Sequence, residues 1–84
     1  MSKKKLLQKA LSAPNNFKFA DMIKLAEAFG FRPSRSSGSH HIFVHPEVRE
    51  FLNLQEVRGK AKLYQIGQFL RLVERYNLEL GEGQ

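Results

Sequence analysis

At Gly30 the hydrophobic pattern of this chain changes period, and that change decides the fold class. Before it, Phe19, Met22, Ile23, Ala26 and Phe29 recur at helical spacing, with Lys24 and Glu27 on the opposite side. Residues 19–29 are therefore expected to form an amphipathic helix, and Gly30 follows as a glycine closing a helix in the left-handed conformation does. Beyond it the chain reads as strands. Residues 31–35 form a short one that Pro33 confines to a sheet edge, and residues 36–39 (Ser-Ser-Gly-Ser) are a turn. His40–His45 is the strongest strand, rich in β-branched and aromatic side chains and closed by Pro46. Residues 51–57 alternate Leu52 and Leu54 against Asn53 and Gln55, a third strand with one wet face.

Helical periodicity then returns. Arg58-Gly59-Lys60-Ala61-Lys62 leads into a last helix whose face is Ile66, Phe69, Leu70, Val73 and Tyr76. Upstream, Leu6, Leu7, Ala10 and Leu11 suit a short helix over residues 4–11, followed by turn formers at residues 12–16. Residues 81–84 are expected to fray. The expected order is α-α-β-β-β-α. Strands grouped between helices make an α+β two-layer sandwich, a three-stranded antiparallel sheet with helices on one face. The 84 residues allow a single domain over 1–84.

Composition narrows the chemistry. With no cysteine, a disulfide framework, a thiol nucleophile and a Cys-ligated zinc site are excluded, and packing alone holds the core. No apolar run exceeds the three residues Ile42, Phe43 and Val44, whereas a membrane span needs about 20. The basic start leads into no apolar segment of the kind a secretory signal carries, so the expected setting is the cytoplasm. The net charge is +6. Residues 1–40 hold eight Lys and Arg against two acids, and residues 41–84 hold six against six. A basic half of this kind faces nucleic acid or an acidic protein surface, or else serves only solubility.

All three histidines, His40, His41 and His45, lie in one strand. They are poorly placed for a metal, because His41 and His45 share a face about 13 Å apart while His40 points the other way. A Ser-His-Asp triad is equally weak, since the single Asp is Asp21 in a helix. General acid–base work by one histidine fits RNA, whose own 2′-hydroxyl supplies the nucleophile. The plain alternative is that a strand histidine is a structural or surface residue. Gly38 and Ser39 put a flexible turn with free amides directly before His40. Lys60 and Lys62, beside Gly59 at the expected start of the last helix, form a second candidate anion site. Phe43, Phe51 and Phe69 sit at core-like spacing, with no sign of a surface stacking pair.

Gly38-Ser39-His40-His41-Ile42-Phe43-Val44-His45-Pro46, preceded by Gly30-Phe31 and followed by Gly59-Lys60-Ala61-Lys62 before a terminal helix, resembles the HicA toxins. The resemblance covers about residues 19–78 and leaves residues 1–18 as an N-terminal extension. It implies a fold like that of double-stranded-RNA-binding domains (dsRBD-like) and a metal-independent mRNA interferase needing no cofactor. The catalytic histidine of the family follows Gly-Ser, which is His40 here. The resemblance implies RNA contacts from Gly38, Ser39, Lys60 and Lys62, to which phosphate binding by Arg35 and Arg58 is added. The implied partners are mRNA and a cognate HicB-like antitoxin. The rival readings are a non-catalytic RNA-binding module of the same fold and a small domain that binds an acidic protein.

Overall fold

The structure, a computed structural model, describes residues 2–81. Its first helix, α1 (Lys3–Ser12), is capped by the Ser2 hydroxyl, which accepts the Lys5 N–H. A single 3₁₀ turn, Pro14–Asn16, leads into α2 (Phe19–Ala28). Four strands follow, β1 (Arg32–Ser37), β2 (His40–His45), β3 (Val48–Val57) and β4 (Lys60–Ala61), and then α3 (Leu63–Arg75). The α+β reading holds, but the antiparallel sheet has four strands in the order β1-β2-β3-β4, where three were expected. The element order departs from α-α-β-β-β-α by that added strand.

The fourth strand arises where a helix start was expected. Arg58 and Gly59 both have positive φ, 54° and 79°, which is what a two-residue type I′ hairpin requires. They fold Lys60 and Ala61 back onto Val57 and Glu56. The Phe17 carbonyl accepts the Ala61 N–H and the Phe19 N–H donates to the Gly59 carbonyl, so the segment before α2 covers the outer edge of β4. Two other joints are equally tight. Only Gly38 and Ser39 lie between β1 and β2, since Ser36 and Ser37 belong to β1. Gly38 has φ +60° at the first turn position, as a type II′ hairpin demands. Pro46 and Glu47 join β2 to a β3 that begins three residues earlier than expected.

Gly30 ends α2 in a Schellman motif. Its φ is +98°, its N–H donates to the Glu27 carbonyl, and the Phe31 N–H reaches back to Ala26. The core lies between the helices and one sheet face. Leu6 and Ala10 of α1, Met22, Leu25 and Ala26 of α2, and Ile66, Phe69 and Leu72 of α3 bury against Phe43, Leu52 and Leu54. Leu70, Val73 and Tyr76 are only partly buried, so the expected stripe on α3 is centred on Phe69 with Leu72 inside it. Of residues 81–84, expected to fray, Gly81 donates its N–H to the Ala28 carbonyl at 2.8 Å; just before it, Leu78 and Leu80 pack on the core. Residues 82–84 lie outside the described residues.

Glu50 ties β3 to the end of α3. Its carboxylate accepts from Arg75 Nη1 at 2.7 Å and from the Tyr76 hydroxyl. The Tyr76 hydrogen bond, with Arg75 assisting, holds the Glu50 carboxyl below the usual glutamate range, and the same bond raises the Tyr76 phenol. A depressed carboxyl stabilises the fold above its unfolded pKa, and that contribution is lost as pH falls through the native value. The raised phenol stabilises below its unfolded pKa and is lost as pH rises through its native value. Glu50→Gln should therefore melt below wild type at neutral pH, with the gap closing in strong acid. Parallel melts across that range check this, and a gap independent of pH would contradict it.

Candidate functional site

Cross-strand register decides what surrounds His40. His40 opposes Ser37 on β1 and Gln55 on β3, and Ile42 opposes Arg35 and Asn53. Residues directly opposite share a face, and this is the face away from the helices. Leu52 and Leu54 alternate with it and are fully buried, while Phe51 is 61% exposed and Ile42 and Val44 are half-buried. Ile42 and Val44 are not packed against a helix, because no helix crosses this side and their neighbours are only the adjacent strands. Phe43 and Phe69 are core as expected, but Phe51 is not, since it shares the parity of Asn53 and Gln55.

His40 opens β2 and stands exposed. Its Nδ1 lies 3.4 Å from Asn53 Oδ1. With Oδ1 as the acceptor, the contact matches the tautomer protonated at Nδ1, in which Nε2 carries the lone pair. Beside it, Ser39 Oγ accepts from Gln55 Nε2 at 3.5 Å, and Lys62 Nζ donates to Gln55 Oε1 at 3.4 Å. The Gln55 backbone N–H is anchored in turn by Oε1 of the buried Gln65 side chain at 2.6 Å. One glutamine thus brings Ser39, His40 and Lys62 together.

The remaining basic candidates separate into two groups. Arg35 lies on the open face beside Ile42. It reaches that face through a bulge, because the register skips Ser34 between Pro33 and Arg35. Arg58 occupies the β3–β4 turn. Lys60 is on β4, with Nζ 3.3 Å from Asn16 Oδ1, so Lys60 and Gly59 do not form a helix N-terminus. Only Lys62 borders α3, as its N-cap residue with no side-chain cap. Arg58, Lys60, Lys62, Val57, Leu63 and Tyr64 line a shallow groove at that end of the sheet. Tyr64 there is 70% exposed.

The sequence reading missed Asn53, Gln55, Tyr64 and Lys18. Lys18 bridges directly opposite Lys60, a like-charge juxtaposition that destabilises unless an anion lies between. The other two histidines face the core side. The His41 ring packs at 5.1 Å from Phe19. His45 Nε2 donates to the Phe29 carbonyl at 2.9 Å, its Nδ1 accepts the Glu47 N–H at 3.0 Å, and its ring meets Phe31 edge-on. Both nitrogens are committed, so His45 is a strut between β2 and the end of α2. Among the described residues no group of three His, Asp or Glu could hold a metal, and no helix is long and apolar enough to cross a membrane.

This small α+β domain carries an uncovered histidine among cations on an open sheet face, a surface whose charge complements a polyanion. The family model for the HicA toxin of bacterial toxin–antitoxin systems matches residues 19–60, half of the chain, from α2 through Lys60. The chain belongs to the HicA toxin family, and membership implies an antitoxin as partner. No curated protein and no solved structure matches it.

Proposed function

We propose that the protein is the toxin of its pair, a metal-independent endoribonuclease that cleaves mRNA with His40 as the catalytic group, and that a HicB-like antitoxin neutralises it in the cytoplasm. One observation carries this reading. His40 keeps Nε2 free on an exposed face while Asn53 occupies Nδ1. In the proposed step Nε2 takes the proton of the RNA 2′-hydroxyl, and the 2′-oxygen attacks the adjacent phosphorus. The bond from phosphorus to the 5′-oxygen breaks, and that oxygen receives a proton from the imidazolium or from water. The products are a 2′,3′-cyclic phosphate and a 5′-hydroxyl end. Lys62, held beside the turn by Gln55, would neutralise charge that grows on the phosphate, with Gly38 and Ser39 bordering the same spot. Arg35, Arg58 and Lys60 would hold neighbouring phosphates.

The test is cleavage of end-labelled RNA by the purified protein in EDTA, with the cyclic phosphate as diagnostic product. Binding without cleavage would favour the non-catalytic RNA-binding reading. Because Lys60 and Lys62 have separate anchors, Lys60→Gln and Lys62→Gln should each act alone. Each should flatten the dependence of log affinity on log salt by about 0.7, the value of one phosphate contact on a single strand. An unchanged slope removes that lysine from the RNA surface.

A further inference from the structure

The open face of the sheet has three cross-strand rows on its β1–β3 part. Ser37, His40 and Gln55 form the first, and Arg35, Ile42 and Asn53 the second. In the third, Arg32 opposes Val44, and Val44 in turn faces the stretch of β3 that carries Arg49 and Phe51, where the register of β2 with β3 is irregular. Rows lie about 7 Å apart, so Phe51 sits roughly 13 Å along the strands from the His40 row. Phe51 is 61% exposed, which for a phenylalanine in mid-strand leaves most of an aromatic surface without a partner. The charge around it has one sign. Arg32, Arg35 and Arg49 share the face, none has an ion-pair partner among the described residues, and no strand carboxylate points to this side. Glu50 and Glu56, which have the other parity, lie toward the helices or at the β4 edge.

We infer that this face is a track for single-stranded RNA, with Phe51 stacking on an unpaired base about two rows from His40 and Arg32 and Arg49 on the flanking phosphates. The inference rests on the reading of His40 as the cleavage site and adds the class of substrate that site takes. Base faces stack on an exposed aromatic only when they are splayed out of a duplex. A paired helix presents phosphates and 2′-hydroxyls instead, which a phenyl ring cannot engage. A bare aromatic ringed by arginines on a flat sheet therefore complements a single strand better than a duplex.

The experiment uses the full chain and short strands carrying 2′-O-methyl groups, which cannot be cleaved. Its outcome is thus independent of whether His40 is catalytic. The chain has no tryptophan, so Phe51→Trp creates a single tryptophan at the spot, which can be excited selectively over the two tyrosines. Saturable quenching by the single strand, absent with the same sequence as a duplex, is expected. Phe51→Ala should weaken single-strand binding about tenfold, within the range of one lost base stack. It should keep the wild-type melting temperature, since the ring is largely exposed. Equal quenching by duplex, or wild-type binding by Phe51→Ala, would overturn the inference. If Phe51→Ala keeps its affinity for RNA but loses it for the antitoxin, the face belongs to the protein partner instead. Should quenching appear while the EDTA cleavage assay fails, the track stands and the catalytic reading falls.

Discussion

Replacing His40 with alanine is expected to lower RNA cleavage by about 10²-fold or more while leaving the melting temperature unchanged. The imidazole is exposed and its polar contact is the 3.4 Å approach to Asn53, so its removal should move stability by no more than about 0.5 kcal/mol. His45→Ala should give the opposite profile. It removes the bond to the Phe29 carbonyl, leaves the Glu47 N–H without its acceptor and takes away the edge contact with Phe31. That should lower stability by about 1–3 kcal/mol, while cleavage per folded molecule stays near wild type. Cleavage in EDTA and thermal melts on both variants separate chemistry from folding. A folded His40→Ala protein that cuts at the wild-type rate would end the proposed mechanism.

Gly30→Ala should be among the most destabilising single substitutions in the chain. The backbone there holds φ at +98°, a conformation that strains any residue with a Cβ by about 1–3 kcal/mol. The added carbon would also stand 2.8 Å from His45 Nε2. The imidazole cannot swing aside freely, because one nitrogen donates to Phe29 and the other accepts from Glu47. Strain and a broken strut together should lower the melting temperature by about 12–24 °C, as roughly 3 kcal/mol does in a domain of this size. Placing Gly30→Ala in a His45→Ala background tests the cause. Only the backbone part should remain, and an undiminished loss would show that the imidazole is not the obstacle.

The helices and their buried stripes were legible because Phe19, Met22, Ala26 and Phe29, and again Ile66, Phe69, Val73 and Tyr76, repeat at the helical period over more than two turns. β4 was not legible. It is two residues long, and its hairpin turns on Arg58 at positive φ, where the familiar signal is Asn or Asp before Gly. The residues around His40 were half visible. Asn53 and Gln55 were marked as a wet face, but joining them to His40 needed the β2–β3 register, which periodicity does not contain. Phe51 misled for a different reason. Its apolar character suggested the core, while its parity with Asn53 and Gln55 already put it outside. Alternation outranks side-chain type in a half-covered strand.

The bulge at Ser34 bears on how this protein behaves in company. β1 is hydrogen-bonded on one side only, and an unpaired strand edge invites other chains to add to it and build aggregates. Here Pro33 supplies no amide hydrogen to that edge, the next residue is the one the register skips, and arginines stand on both sides of the break. An incoming strand would find no continuous ladder to extend and would meet repulsion from its own copy of the same charges. The kink that turns Arg35 toward the open face thus also interrupts the ladder that a second copy of the chain would need to extend the sheet at this edge.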